Sequence, residues 1–591
     1  MDMRWSLDSL YKSFDERYEK DVRLCREKAE SLESLTGKIF SSSKDMNPVQ
    51  AAELYIAEMQ KFEELFSALY NYAELVLSVE SDNEQAQKYL DILQNTEVLL
   101  TPSLIRFMKW VGNMSDIKNL ISSSELLKEH RFFIMENREK SRHLLSEKEE
   151  ILASRMKNTG SNAWTKLWNT ITANHRVDFD FKGENKKLPL SIVRNMAYDA
   201  DAEKRKVAYE AESESYSAIE DSGAAALNSI KGEVLSMSKM RGFSSPLEKT
   251  LSDSRMDKAT LDAMLEAMKE YMPLFRSYYR RKSELLGHNG ALPFYDLFAP
   301  IGSVDLSFSY EETRDFIIEK FKMFSEELSS FAEKAFDSRW IDAQPRAGKR
   351  GGAFCMNLHS VGESRVLANF DGSFSNVRTL AHELGHAYHG SCLRNESILN
   401  SHYPMPLAET ASIFCETIIH NAAVSEADDK NAFVITEKNL AMSGQVIVDI
   451  YSRFRFETML FEERKKGSLS VKELKQLMLR AQDEAYGDAL DKDIRHPYMW
   501  LNKPHYYYAD HNFYNFPYAF GLLFAKGLYA VYREEGESFI PNYKKLLAQT
   551  GKSTVKDVVS LMDRDVADVA FWKNSLEITA EEIRSFLEMS K

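Results

Sequence analysis

The sequence predicts a mainly α-helical protein, and three observations predict it. Helix breakers are rare in the first third: up to residue 185, proline occurs only at 48 and 102 and glycine only at 37, 112, 160 and 183, leaving room for long helices. Apolar residues recur at spacings of three and four, the period of a buried helix face. Only the stretch 353–370 reads as strand, and it is short.

Taken in order, the first helix legible in detail begins at Asn47-Pro48, a cap followed by a proline suited to the first helical position. Tyr55, Met59, Phe62, Phe66, Leu69 and Ala73 form its packing face. A charged helix is expected from Ser124 to about Lys157, stopping at Asn158-Thr159-Gly160-Ser161. The polar, turn-rich segment Lys182–Pro189 sets the expected boundary between an N-terminal helical domain, 1–189, and a second domain, 190–591. Helices resume at Leu190. They break at Gly287-His288-Asn289-Gly290 and again at the basic, glycine-rich stretch 346–352. Two short strands follow, Ala353–Leu358 and Arg365–Phe370, joined by a turn containing Gly362. Next comes a helix capped by Ser375, with Val377, Leu380, Leu384 and Tyr388 inward and Gly390 as its stop. The prolines of Pro404-Met405-Pro406 introduce a further helix, Leu407 to about Ala423, and Pro517 opens another.

Composition narrows the function classes. Lys and Arg total 76 against 90 Asp and Glu, a formal net charge of −14, which disfavours a nucleic-acid surface and attraction to anionic membranes. No window approaches a membrane span, and the first residues lack the apolar core of a signal peptide. Four scattered cysteines, Cys25, Cys355, Cys392 and Cys415, form neither a C-x-x-C pair nor a disulfide framework, so the expected compartment is a reducing cytoplasm.

The chemistry concentrates in His382-Glu383-Leu384-Gly385-His386. Histidines at i and i+4 share one helix face and can ligate one metal ion, expected to be a single Zn²⁺ per chain. Glu383 lies one step round, beside the metal but off it, where a general base belongs. A catalytic zinc needs a third protein ligand. The residues three and six past His386 are His389 and Cys392, which rules out a metzincin arrangement. A glutamate on the following helix is the other solution: Glu409 lies near its start, 23 residues after His386, and position favours it. Glu416, two turns further on, is the rival ligand or a carboxylate that orients a histidine ring.

These residues carry a resemblance. Ala381–His389 followed by Ala408–Glu416 resembles the M3 peptidase family, more narrowly its oligoendopeptidase F branch. Trp5–Tyr11, Gly348–Cys355 and Asn512–Gly521 are similar to stretches of the same branch, so the resemblance spans nearly the whole chain. It implies a zincin-type helical shell around a deep substrate channel, a small β-sheet beside the active-site helix that holds substrate, and Glu409 as third ligand. It implies hydrolysis of internal bonds in short unstructured peptides. It also implies a His followed nine residues later by a Tyr, with a second Tyr three beyond. His505 and Tyr514 match the first interval, whereas Pro517 stands at the third position and the tyrosine is Tyr518. The same stretch holds His511. The expected role of these side chains is hydrogen bonding to the oxyanion of the tetrahedral intermediate. Two other functions fit less well: an exopeptidase, which needs a clamp for a free terminus, and a non-catalytic peptide-binding protein, whose structural zinc would be closed by four protein ligands.

Overall fold

The structure is a computed structural model that describes residues 1–40, 46–303 and 306–591. Helices dominate, and the described chain packs as two compact units, each discontinuous in sequence. The first holds Met1–Leu144, Leu306–Ala422 and Val531–Arg564; the second holds Leu145–Asp305, Ala423–Ala530 and Asp565–Lys591. Residues 189 and 190 both fall in the first segment of the second unit.

In the first unit, Asn47 caps the helix Pro48–Val79 by accepting from Val49 N at 2.8 Å, as its sequence predicts. Tyr55, Met59, Phe62, Leu69 and Ala73 are buried. Phe66 is half-buried. Helices Glu16–Ile39 and Glu84–Val98 pack on this face. The rings of Tyr11, Phe14 and Tyr89 stand 4.9–5.0 Å from Tyr18, and Tyr55 stacks on Phe107 at 4.2 Å. This apolar core continues under a three-stranded sheet through Leu358 and Leu367.

That sheet comprises β3 (Ile341–Asp342), β4 (Phe354–Leu358) and β5 (Glu363–Leu367), in the order β3-β5-β4. β4 and β5 are antiparallel, with Phe354 opposite Leu367, and Gly362 turns between them at φ +63°. The second strand starts two residues earlier than its sequence suggests. Beyond it, Ala368 and Phe370 donate from their backbone N–H to Asp342 and Ala343. β4 is an edge strand lying against the helix that carries the histidines.

Two other expectations are corrected. The single helix expected over Ser124–Lys157 is three, Glu125–Glu129, Arg131–Ser141 and Glu147–Thr159. His130 takes a non-helical conformation, and Ser146 with Glu149 forms a capping box that starts a new helix. The strand region at 353–370 is also not alone. β1 (Arg176–Phe181) and β2 (Glu184–Pro189) form a hairpin in the second unit, reversing through Lys182 at φ +54° and Gly183 at φ +83°. Val177 and Phe179 are buried while Asp178 and Asp180 are exposed, so a period-two signal was present in Arg-Val-Asp-Phe-Asp-Phe.

Candidate metal centre and active site

The two histidines sit on the helix Phe374–Leu393. Its cap is Ser373, not Ser375, because Asp371 and Asn376 close a turn around residue 373. The expected inward residues Val377, Leu380, Leu384 and Tyr388 are all buried. Gly390 does not end the helix. A Cβ there would lie 2.3 Å from the Asn357 side chain, so this glycine lets β4 approach the helix. Gly385 does the same on another side, where a Cβ would meet Ala411 O and Ser412 Cα at 2.5 Å.

Glu409 lies in that neighbouring segment. The helix expected from Leu407 to Ala423 is interrupted: a short turn, Met405–Ala408, ends with Glu409 as its C-cap, and a new helix runs Ser412–Glu426. The break places the Glu409 carboxylate over the histidine face. Its Oε2 stands 3.3 Å from His382 Nε2 and 3.6 Å from His386 Nε2, and Ser412 Oγ donates to it at 2.7 Å. Glu416 meets the opposite nitrogen of His382, with Oε2 3.2 Å from Nδ1, while Arg378 donates to its other oxygen. Glu409 and Glu416 therefore address different edges of one imidazole.

The donor set fits a zinc ion. Two ligands about 2.1 Å from a tetrahedral ion stand about 3.4 Å apart, and the observed separations of 3.3 and 3.6 Å bracket that value. His382, His386 and Glu409 are the one group of three or more potential ligands among the described residues, with all donor atoms within 4.8 Å. Their side chains remain 19–24 % exposed, so the centre meets solvent. The electrostatics agree. Burial alone would pull His382 down, but Glu409 and Glu416 carry it up to about 10. Burial would raise both glutamates, yet His382 with His386 brings Glu409 to about 2, and Arg378 with His382 brings Glu416 to about 2. His386 is pushed down to about 4 by burial and by charge on His382. Arg378 and the proton on His382 balance the two carboxylates, and a metal cation held by His382, His386 and Glu409 would take the place of that proton. Glu383 is only 6 % exposed, and burial pushes it up to about 7.

His505, Tyr514, Tyr518 and His511 belong to the second unit. Tyr518 OH donates to Tyr514 OH at 3.1 Å, so the displaced tyrosine still converges on its partner. His505 is buried, and its ring lies 5.8 Å from Tyr514 at 25°. Arg453 donates to Asn515 Oδ1 at 3.4 Å, which turns the Asn515 amide toward His505 Nε2, 2.6 Å away. The ring proton then sits on Nδ1. Burial and the charges of Arg453, Lys231 and Lys503 push His505 down to about 2, keeping it neutral. His511 is exposed.

Several site-supporting residues carry no local sequence signal. Arg378 acts across 38 residues of chain. Phe513 sits at φ +54°, held by its N–H donating to Glu457 at 2.9 Å. Glu457 in turn accepts from fully buried Lys231 at 2.8 Å, and Lys231 also donates to Asn512.

The model of Peptidase family M3 matches residues 195–578, nearly two thirds of the chain. This chain belongs to peptidase family M3. A second model, described as Oligopeptidase F, matches residues 113–176. Group B oligopeptidase PepB of Streptococcus agalactiae serotype III (strain NEM316) is 25 % identical over 587 residues, covering 96 % of this chain and 94 % of its own. Oligopeptidase PepF of Bacillus subtilis (strain 168) is 24 % identical, covering 91 % and 80 %. Among solved structures, a putative peptidase from Chlamydophila abortus has a TM-score of 0.86 at 20 % identity, covering 99 % of this chain and 98 % of its own. Oligoendopeptidase-F from Enterococcus faecium has 0.70 at 18 %, covering 98 % and 99 %. The M3 peptidase is thus a metalloendopeptidase of mainly helical fold, in a family whose substrates are peptides. Among the described residues no helix is long and apolar enough to cross a membrane.

Proposed function

We propose that this M3 peptidase is a zinc-dependent oligoendopeptidase that cleaves internal bonds of short unstructured peptides. The observation that carries the proposal is the spacing of His382, His386 and Glu409, with Glu383 buried beside them. The three side chains hold one Zn²⁺, which when bound acidifies water and polarises the scissile carbonyl as a Lewis acid. Glu383 accepts the proton of the attacking water and returns it to the leaving amine. Glu416, braced by Arg378, accepts a hydrogen bond from Nδ1–H of His382 and so keeps Nε2 as the metal-facing lone pair. On the family resemblance, the Tyr514 hydroxyl donates to the oxyanion with Tyr518 supporting it through its own hydrogen bond to Tyr514, and neutral His505 positions Tyr514 or donates through Nδ1–H. Each well-placed donor of this kind is worth roughly 10²- to 10³-fold in rate.

β4 provides the substrate contact. As an edge strand against the motif helix, it offers main-chain groups to an extended peptide and so asks for no particular side chain. The preference for short peptides rests on the oligopeptidase names of the relatives. A reducing cytoplasm is the proposed compartment, on the strength of four free thiols. The division at 189/190 is proposed as a boundary of descent, since the matched family models end at 176 and begin at 195.

An internally quenched peptide blocked at both ends tests the reading, with the cut mapped by mass spectrometry and a chelator control. The expected result is internal cleavage that stops on chelation and returns with zinc. Cleavage confined to unblocked peptides would make the protein an exopeptidase, and binding without turnover would make it a peptide-binding protein.

A further inference from the structure

The second unit contains a cavity of about 230 Å³ whose walls all come from that unit. One wall is aromatic, built from Tyr198, Tyr209, Phe294 and Phe298. The other is polar, built from Arg194, Glu212, Asn502 and Lys503.

The charges on the polar wall do not balance. Glu212 is engaged through one oxygen: its Oε1 accepts from Tyr216 OH at 2.7 Å and from Asn502 Nδ2 at 3.3 Å, with His496 Nε2 3.4 Å and Arg194 Nε 3.6 Å away. Behind Lys503, Arg453 is paired with Asp449. Lys503 faces both pairs, and among the described residues no carboxylate lies within ion-pair distance of it. One uncompensated cation therefore points to a monoanionic ligand. Burial, with Arg453 adding to it, pushes the Lys503 amine down to about 7, a strain that a bound carboxylate would relieve. Arg194 spends Nη1 on the Asn502 carbonyl at 3.2 Å and Nε on Glu212. Its remaining N–H groups are the natural second contact for a carboxylate.

Asn502 supplies the complementary feature. It is only 6 % exposed, its Nδ2 is directed to Glu212, and its Oδ1 has no hydrogen-bond partner. A buried acceptor beside an uncompensated cation asks for a ligand with an N–H next to its carboxylate. The aromatic wall asks for an apolar or aromatic group on the intervening carbon.

We propose that this cavity binds the α-carboxylate end of an amino acid or short peptide: Lys503 and Arg194 hold the carboxylate, Asn502 Oδ1 accepts the adjacent N–H, and the rings cover the side chain. Two sources can supply that chemistry, the C-terminus of the substrate or a free amino acid.

Isothermal titration of the full chain with N-acetyl-phenylalanine and with its amide tests the site directly. The acid is expected to bind, the amide at least tenfold more weakly, and Lys503→Met should weaken the acid at least tenfold while Lys503→Arg keeps most of it. Equal binding of acid and amide, unchanged binding by a folded Lys503→Met protein, or no binding of either at millimolar concentration would each overturn the proposal. Steady-state cleavage of a peptide pair ending in free acid or amide then identifies the source. A preference for the acid end that vanishes in Lys503→Met assigns the site to the substrate; equal cleavage with binding retained assigns it to a free amino acid. The calorimetric arm does not depend on turnover, so it stands apart from the zinc reading.

Discussion

Glu383 and His382 are neighbours in sequence with different surroundings, one a carboxyl raised by burial and one an imidazole between two carboxylates. Glu383→Gln is expected to keep a full equivalent of zinc and lose at least 10²- to 10⁴-fold in turnover, the usual range for a general base. Substantial residual activity by the fluorogenic assay would remove Glu383 from that role. His382→Ala should lose the metal, as read by elemental analysis. A second prediction concerns Lys231. Lys231→Met leaves Glu457, 2 % exposed, without its cation, at an expected cost of about 3–5 kcal/mol in urea unfolding. Pairing it with Glu457→Leu should restore most of that stability but not activity, because Phe513 N–H would still lack its acceptor. Activity returning with stability would show that the Phe513 turn does not place Tyr514. At this scale the sequence revealed the residues whose spacing is itself the signal, His382, Glu383 and His386. Arg378, Glu457 and Lys231 stayed hidden because their partners lie 38, 56 and 226 residues away.

Among elements, helix starts marked by Asn47 and by Pro517 were legible, since a capping amide or a fixed φ acts locally. Helix ends set by tertiary contact were not. Gly390 reads as a stop until Asn357 is seen against it, and the interruption at Glu409 follows from packing beside Gly385. Gly385→Ala tests that packing. Alanine gains about 1 kcal/mol of helix propensity, but a Cβ 2.5 Å from backbone atoms costs about 1–3 kcal/mol by overpacking. The net expectation is a small loss of stability with a clear drop in zinc affinity as Glu409 is displaced, and an unchanged zinc dissociation constant would contradict it. In the helix Pro48–Val79, burial, with Glu97 adding to it, pushes Glu63 up to about 7. A carboxyl raised in the folded state is bound to more protons there than in the unfolded chain, so stability falls as pH rises from about 4.5 to about 7. Glu63→Gln should therefore raise Tm at pH 8, by the equivalent of about 1–3 kcal/mol, with the gain vanishing at pH 4. A gain independent of pH would mean the glutamate is not the cause.

For the molecule as a whole, helical class followed from composition and period, whereas the packing units did not. Each unit draws on three separated stretches of chain, and no local property marks segments that meet only in three dimensions. The polar segment at 182–189 reads as a linker yet contains one strand of a hairpin. The fragment 1–189 is accordingly expected not to unfold cooperatively. Its first part lacks the sheet residues Leu358 and Leu367 that complete its core, and Ser6, Ser9 and Met3 lose hydrogen bonds to residues 339–365. A sharp two-state melt of that fragment would contradict this assignment.

The rear of the motif helix has a consequence for synthesis. His389, fully buried, finds its partner in Thr550, 161 residues later, and Tyr543 reaches back to the Thr410 carbonyl. At about 5–20 residues per second, a ribosome takes roughly 8–30 s to travel from one to the other. Through that interval the histidines have been made but the residues that floor their helix have not, so the motif helix completes its packing only after residue 550 has been synthesised.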